Sequence, residues 1–293
     1  MRKFFKILIV CAFICLIGAG FLLVSHGFLY GKPTEPPSHR LSIMTYNTRG
    51  MGMARKTPKN AVIQFLQKAD ADVLCLQEVD VYKSSEHLTL NELRKALAHY
   101  PYTYFDFKVY NSRHQFGNAV FSRYPLINKH TIRYPSRANI SSCCDVAAGG
   151  DTLRLFTNHL ESYRFSQSEI DSVAAHPFRS DSALQHKVWS ASRSRFRQAR
   201  IVADSIAVSP YPVLLVGDLN SMPVSPTYLL LRRHLRDAFL ECSSLRLGNT
   251  FKKGRFGVRI DYILHSEGLH PVSCRTLHTD ASDHLPVRAE LVW

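Results

Sequence analysis

The sequence predicts an α/β (α+β) domain in which mixed β-sheets are covered by helices. Two observations predict this fold. Short β-type runs are interspersed with helical runs along most of the chain, without the strict strand–helix–strand repeat of a purely parallel fold. Hydrophobic residues make up 45% and charged residues 20% of the 293 residues, which is ordinary for a globular chain and argues against disorder.

The N-terminus has the composition of a membrane-targeting segment. Arg2, Lys3 and Lys6 precede an uncharged apolar run at residues 7–24, close to the roughly 20 residues with which a helix crosses a bilayer. The flanking positive charge favours a cytoplasmic N-terminus and export of the rest of the chain. We expect residues 1–30 to be an uncleaved anchor, with the main domain periplasmic or extracellular. A cleaved signal, which would make the protein secreted, and a buried core helix are the alternatives.

A Pro-rich linker at residues 31–39 separates this segment from one folded domain at residues 40–293, because proline cannot continue a helix. Residues 1–31 hold three basic residues and no acid, so the formal net charge of +14 leaves 14 − 3 = +11 for the remainder. A basic surface suits anionic partners such as nucleic acid, phosphorylated small molecules or acidic lipid. General solubility is the plain alternative.

The number and spacing of the cysteines do not indicate a disulfide framework. Of seven cysteines, Cys11 and Cys15 lie in the apolar run, so five belong to the domain. An odd number without a C-x-x-C spacing indicates neither a disulfide scaffold nor a zinc site. Pairing of the adjacent Cys143 and Cys144 stays open.

The helices are predicted from periodicity and capping. Thr57 and Pro58 form an N-cap followed by proline at the first helical position. Further helices are expected at residues 90–99 and 187–207, and residues 161–186 are expected to form a loop or lid. The helix at 187–207 is predicted to place one set of side chains on a single face: Trp189, Phe196, Ala199, Ala203 and Ile206. Strands are predicted at residues 41–46, 73–76, 102–105, 118–121, 153–157, 213–216, 259–264 and 286–292.

Carboxylates, amides and imidazoles stand at the ends of these strands. Hard cations take oxygen ligands from such side chains, and an attacking water needs a carboxylate or imidazole to orient and deprotonate it. Each residue alone has a plain structural explanation, but together at the rim of a sheet they predict a metal-dependent site that hydrolyses phosphate esters. The residues are Asn47, Glu78, Asn158, His159, Asp218, Asn220, Asp261, Asp283 and His284.

The motifs that contain these residues resemble the endonuclease/exonuclease/phosphatase superfamily. They follow the family's order over nearly the whole chain from Leu41 to Trp293. The resemblance implies a four-layer α/β/β/α sandwich, two mixed β-sheets packed face to face with helices on both outer faces. The motifs are Met44-Thr45-Tyr46-Asn47, Leu76-Gln77-Glu78-Val79, residues 117–125, Asn158-His159-Leu160, residues 217–221, residues 259–264 and residues 282–287.

The resemblance also implies the residues that hold a metal ion. Glu78 corresponds to the principal Mg²⁺ ligand, with Asn47 beside it, and Mn²⁺ or Ca²⁺ are alternative ions. Asp283 corresponds to a further carboxylate on the metal side or the water side. Asn118 and Asn158, within matching motifs, are candidate substrate-binding residues.

The catalytic roles are implied in the same way. Asp218 corresponds to the residue that orients or deprotonates the water, and Asn220 to a donor to a phosphate oxygen. His284 corresponds to the histidine on the scissile phosphate, held in its tautomer by Asp261. His159 matches the second histidine of the nuclease and phosphodiesterase branches, which stabilises the transition state or protonates the leaving oxygen.

The substrate is less well defined by the sequence. Arg193, Arg197 and Arg200 share one face of the predicted helix and, with Arg195 and Lys187, are candidates for a phosphate-backbone track; a solvated helix face is the alternative. We expect a phosphodiesterase or nuclease with no obligate protein partner. The alternatives are a lipid phosphodiesterase of the sphingomyelinase kind, a phosphomonoesterase and a non-catalytic binding module.

Overall fold

The computed structural model describes residues 37–56, 59–166, 168–169, 182–242, 248–253 and 256–293. Within them lie two six-stranded sheets and one two-stranded ribbon. The strands are β1 (Arg40–Asn47), β2 (Val73–Tyr82), β3 (Tyr102–Tyr110), β4 (His114–Ser122), β5 (Leu126–Ile132), β6 (Ile140–Ala148), β7 (Asp151–His159), β8 (Val213–Asp218), β9 (Arg236–Asp237), β10 (Phe251–Lys253), β11 (Phe256–Val258), β12 (Asp261–His265), β13 (His270–Thr276) and β14 (Val287–Val292). The helices are α1 (Arg49–Ala54), α2 (Ala61–Lys68), α3 (Leu90–Ala96), α4 (Ser182–Ala207), α5 (Pro226–Leu231) and α6 (Ala238–Cys242).

Both sheets are mixed, as predicted. The first has the strand order β13-β14-β1-β2-β4-β3, with β1 parallel to β2 and antiparallel to β14. The second has the order β5-β6-β7-β8-β12-β9, with β7 parallel to β8 and antiparallel to β6. In each sheet the parallel pair occupies the middle, so its apolar residues are covered on both sides.

The hydrophobic core has three parts that correspond to the interfaces between four layers. The central part joins the inner faces of the two sheets, for example Ile43 of β1 with Leu155 of β7 and Val216 of β8. A second part packs α2 and α3 on the outer face of the first sheet, and a third packs α4 and α5 on the outer face of the second. The predicted α/β/β/α sandwich is confirmed.

Several elements differ from the prediction. Helix α2 begins at Ala61, with Asn60 as the N-cap whose side chain accepts from the Ile63 amide; the predicted cap, Thr57 and Pro58, lies outside the described residues. Strands β5, β6, β9, β10, β11 and β13 were not predicted. Strand β6 is buried although it contains Ser, Cys and Asp, so hydropathy alone did not distinguish it from a polar loop.

Helix α4 begins at Ser182, inside the segment predicted as a loop or lid; residues 167 and 170–181 of that segment lie outside the described part. Ala199, Ala203 and Ile206 are buried as expected, but Trp189 is 60% and Phe196 37% exposed. The single-face prediction is therefore wrong for the two aromatic residues. Arg195, which is 2% exposed, occupies the inner side of the helix near that level.

The five described cysteines are free thiols, so Cys143 and Cys144 form no bridge. None of the helices in the described ranges is both long enough and apolar enough to span a membrane. The apolar run at residues 7–24 lies outside those ranges.

Candidate active site

Strand register brings three of the predicted catalytic residues into one row. His159 at the end of β7 is paired with Asp218 at the end of β8, and Asp218 is paired with Asp261 at the start of β12. At Gly217, which has a φ of +130°, the backbone of β8 lies close against that of Asn158 in β7. Because the three strands are neighbours, their terminal side chains meet at one rim of the second sheet.

His284 completes this row from the loop before β14. Its Nδ1 lies 3.0 Å from Oδ2 of Asp261, and its Nε2 lies 3.7 Å from Oδ2 of Asp218. All three residues are buried, and one potential ligand atom from each lies within 4.8 Å of the other two. Asp261 therefore holds the Nδ1 side of the ring and leaves Nε2 for Asp218 or for a substrate oxygen.

The charged groups of this row shift one another's pKa values. Burial raises the pKa of Asp218 to about 6, and the Asp261 carboxylate adds to the increase. A carboxyl group that titrates near neutral pH is suited to accept a proton from water. Burial by itself lowers the pKa of His284, but Asp261 and Asp218 outweigh it and raise the pKa to about 10. Without a metal ion, the imidazole is therefore a cation at neutral pH.

Asn47 and Glu78 reach the same point from the first sheet. The Asn47 amide nitrogen donates to Oε1 of Glu78 at 3.2 Å and to Oδ2 of Asp218 at 3.0 Å. Its Oδ1 accepts from the Arg49 amide, so the side-chain nitrogen, not the oxygen expected of a metal ligand, faces the carboxylates. His159 approaches from the opposite side, with Nε2 3.6 Å from Oε1 of Glu78.

Backbone conformation at two of these residues is unusual. Glu78 has a φ of 52° and Asn220 a φ of 48°. Glu78 lies at the irregularity in the β2–β4 pairing between Leu76 and Val79, which turns its side chain toward the rim. Such left-handed conformations cost on the order of 1–2 kcal/mol for a non-glycine residue and concentrate at functional sites.

Asn220 and Asp283 flank the row. The Asn220 amide donates to Oδ1 of Asp218 at 2.8 Å, and its side chain donates to the Leu160 carbonyl at 3.0 Å. Asp283 is partly exposed, and its Oδ2 lies 3.5 Å from Nε of Arg49. Both residues thus lie at the site, Asn220 on the β8 side and Asp283 on the open side.

Two predicted substrate-binding residues make hydrogen bonds inside the protein. Asn158 is fully buried; its Oδ1 accepts from Ser141 and its nitrogen donates to the carbonyls of Phe156 and Val216. Asn118 is also buried, and its nitrogen donates across the sandwich to the Thr157 carbonyl. Both tie strands together beneath the rim, and their part in substrate binding stays a prediction.

The other two predicted substrate-binding residues, Arg193 and Arg197, lie exposed on α4. The structure does not bring them to the row of catalytic candidates, because they occupy the face of the helix opposite Arg195. Lys187 is bound to Glu169 at 2.8 Å. The five basic residues predicted to form one phosphate-backbone track are therefore separated from one another. Lys187 is in an ion pair, Arg195 is buried, and the other three arginines lie on the exposed face.

Arg195 is a further candidate functional residue. It is buried, which the sequence did not predict. Its Nη1 donates to the Glu161 carbonyl at 2.7 Å, and its guanidinium lies 4.0 Å from the centre of the Tyr163 ring. Gln198, one turn on, accepts from the Glu161 amide at 2.9 Å. These bonds fix the chain two residues after His159. The helical spacing of Arg195 and Gln198 was the available sequence signal, but it does not reveal that they bind the carbonyl and the amide of Glu161.

A divalent cation fits this group of side chains. Asp218, Asp261 and His284 each bring one potential ligand atom to within 4.8 Å of the other two, and the Asn47 amide bridges Asp218 to Glu78. Oδ1 of Asp261 is buried with no hydrogen-bond partner among the described residues. Clustered carboxylates repel one another unless a proton or a cation compensates, and oxygen-rich groups are the ligands of Mg²⁺, Mn²⁺ and Ca²⁺. The predicted metal ligand Glu78 is the half-buried member at the solvent side.

Solved structures with the same fold come from several organisms. An endonuclease/exonuclease/phosphatase from Beutenbergia cavernae DSM 12333 is 22% identical, with a TM-score of 0.65 over 86% of this chain and 71% of that one. Truncated Caenorhabditis elegans TDP2 is 19% identical, with a TM-score of 0.63 over 88% of this chain and 99% of that one. An endonuclease/exonuclease/phosphatase from Bacteroides vulgatus is 16% identical, with a TM-score of 0.62, 87% of this chain and 99% of that one.

The family of this chain is identified from its sequence. None of the curated proteins is a significant match to the chain. The model of the Endonuclease/Exonuclease/phosphatase family matches residues 44–284, a range that begins three residues before Asn47 and ends at His284. The chain therefore belongs to the endonuclease/exonuclease/phosphatase family.

Proposed function

We propose that this protein is a divalent-metal-dependent phosphodiesterase that hydrolyses its substrate by in-line attack of water. The observation that carries the proposal is the buried arrangement of His284 between Asp261 and Asp218, at 3.0 and 3.7 Å, beside Glu78. Membership of a phosphoesterase and nuclease family agrees with this chemistry. A non-catalytic binding module would not need a carboxyl group with a pKa near neutrality at this position.

Each side chain has a defined task in the proposed reaction. Asp218 accepts the proton of the attacking water, because its pKa is raised to about 6 by burial and by Asp261. The His284 cation donates from Nε2 to a non-bridging phosphate oxygen, where negative charge grows in the transition state. Asn220, whose backbone bond to Asp218 fixes its position, contributes a second donor.

Glu78 and Asp283 are the residues that would hold the metal ion on the solvent side, with Mg²⁺ the proposed ion. A bound divalent cation supplies Lewis-acid stabilisation of the phosphoryl oxygens. As the Asn47 side chain is placed, its nitrogen donates to Glu78; its contribution here is to orient that carboxylate.

His159 supports a diester substrate because it matches the second histidine of the nuclease and phosphodiesterase branches. Its buried Nε2 has no hydrogen-bond partner among the described residues and lies 3.6 Å from Glu78. A second imidazole can protonate the alkoxide that leaves when a diester is cleaved. A nucleic acid is the proposed substrate class, since the domain is strongly basic; a phospholipid head group is the second candidate, favoured by the apolar N-terminal run.

We further propose that residues 1–30 tether the domain to a membrane on its extracytoplasmic side. The uncharged run at residues 7–24 and the basic residues before it support this location.

An activity panel tests the function. Full-length protein in detergent is assayed with Mg²⁺ on single- and double-stranded DNA, RNA, sphingomyelin, bis(p-nitrophenyl) phosphate and p-nitrophenyl phosphate. We expect hydrolysis of the diesters with little turnover of the monoester. Turnover of the monoester alone would overturn the diesterase proposal, and turnover of sphingomyelin without nucleic acid would replace the proposed substrate.

A further inference from the structure

The outer face of α4 carries aromatic and cationic side chains that the proposed reaction does not use. Trp189 and Phe196 are 60% and 37% exposed, and Arg193 lies between them with its guanidinium 5.2 Å from the centre of the Trp189 ring. Residues seven apart lie almost in line on a helix of 3.6 residues per turn. The set is called the α4 stripe: Trp189, Arg193, Phe196, Arg197 and Arg200.

The charge of the α4 stripe has one sign. Arg193, Arg197 and Arg200 are all exposed, and the helix contains no acid from Ser182 until Asp204, which comes one turn after Arg200. Arg195 is not part of this face, since it is buried against Tyr163 and the Glu161 carbonyl on the opposite side. The α4 stripe is therefore a basic, aromatic face along about three turns of a long helix.

From this composition we propose that the α4 stripe is the surface by which the domain lies on an anionic lipid bilayer. Tryptophan and phenylalanine settle at the level of the lipid head groups, and arginines on the same face pair with anionic lipids. The helix is 26 residues long, so the α4 stripe lies along an extended side of one helix and can contact a surface at several positions at once. The proposal does not depend on hydrolysis of any substrate.

A nucleic-acid track is less well supported by the geometry. A bound strand has to present its phosphate to Asp218 and His284, whereas the α4 stripe faces away from them. The thickness of the helix, about 10 Å, separates Arg193 and Arg197 from the side on which Arg195 approaches the site. A bilayer needs no path from the α4 stripe to the catalytic residues.

The chain offers a direct probe of this contact. Its two tryptophans are Trp189 and Trp293, so Trp293→Phe leaves Trp189 as the only indole. Residues 1–36 contain no tryptophan, so they add no indole signal of their own when they insert into a membrane. The full-length Trp293→Phe protein is added to vesicles of phosphatidylcholine alone or of phosphatidylcholine and phosphatidylglycerol in equal parts, each with brominated acyl chains.

We expect Trp189 emission to shift to shorter wavelength and to be quenched in the anionic vesicles but not in the neutral ones. The variant Arg193→Gln/Arg197→Gln/Arg200→Gln should lose the quenching, since each arginine near an anionic surface strengthens binding about fivefold and three do so about 100-fold. A matched variant that removes the same charge elsewhere on the exposed surface should keep it: Arg113→Gln/Arg133→Gln/Arg233→Gln.

Three results would overturn the proposal. The first is quenching of equal size in neutral and anionic vesicles, and the second is quenching that survives in the α4 triple variant. The third is a change in Trp189 emission with a single-stranded oligonucleotide and none with anionic vesicles, which would assign the α4 stripe to nucleic acid. Circular dichroism of each variant shows that a loss of signal does not come from unfolding.

Discussion

The imidazole Nδ1 of His284 lies 3.0 Å from Oδ2 of Asp261, and both groups are buried. The pair joins β12 to the loop before β14 and so links the two sheets at the rim of the sandwich. It also sets the electrostatics of the site, because Asp261 is the strongest influence that raises the pKa of His284.

This pair makes the stability of the metal-free protein depend on pH. The folded-state pKa of His284 is raised from 6.5 to about 10. The resulting stabilisation is fully present below pH 6.5 and is lost as the pH rises through about 10. In chelator, urea unfolding should show the free energy of unfolding falling by roughly 1–3 kcal/mol between about pH 6 and pH 9. In Asp261→Asn the fall should be much smaller, while Asp151→Asn, an exposed control, should behave as wild type. Equal slopes in Asp261→Asn and wild type would contradict the assignment.

Arg195 should be required for both stability and turnover. Lysine cannot bind the Glu161 carbonyl and the Ser192 hydroxyl together while stacking on Tyr163. We expect Arg195→Lys to lower the free energy of unfolding by about 2 kcal/mol. Because the chain after His159 is then less fixed, kcat should fall by at least about tenfold with a smaller change in KM. Chemical denaturation and steady-state kinetics measure the two effects.

A control for Arg195 is available at Arg133, which is exposed. Arg133→Lys should change the free energy of unfolding by no more than about 0.5 kcal/mol. An Arg195→Lys protein with wild-type kcat would show that the hydrogen bonds that Arg195 and Gln198 make with Glu161 do not position His159.

Gly217 should tolerate no side chain. A Cβ at this position would lie 2.0 Å from the Asn158 carbonyl oxygen, and the residue has a φ of +130°. Gly217→Ala should therefore destabilise the protein by more than about 3 kcal/mol and separate β7 from β8. Gly150→Ala is the matched control, since Gly150 has a φ of +93° with no atom within 4 Å of the added Cβ. It should cost about 1 kcal/mol, and similar melting temperatures for the two variants would contradict the steric argument.

The residues at the rim could be predicted from the sequence because each of them lies at the end of its own strand in the chain. Asp218 and Asp261 directly adjoin short apolar strands, and the paired register then brings them together without further information. The same reasoning could not place Asn118 and Asn158, because an amide beneath the rim and one on it have the same sequence context. A position beneath the rim differs from one on the rim only in tertiary structure, in this case by the strands whose carbonyl groups accept hydrogen bonds from the amide nitrogen.

The face of α4 was the least predictable feature. A helical period identified one apolar side, but Arg195 is buried and Trp189 is exposed, against the usual preference of both residue types. The cause is tertiary. The carbonyl of Glu161 and the ring of Tyr163 provide a polar, stacked pocket for the guanidinium, and neither contact has a local sequence signature.

In the proposed reaction, hydrolysis of a phosphodiester requires a metal ion that is held by Glu78. The most direct measurement is the turnover of bis(p-nitrophenyl) phosphate by full-length wild type and Glu78→Gln, each stripped with chelator and titrated with Mg²⁺. We expect no turnover in chelator, restoration in wild type, and a kcat at least about 100-fold lower in Glu78→Gln at saturating Mg²⁺, because several kcal/mol of transition-state stabilisation are lost. Full turnover in chelator, or equal turnover by the two proteins, would contradict the proposed reaction.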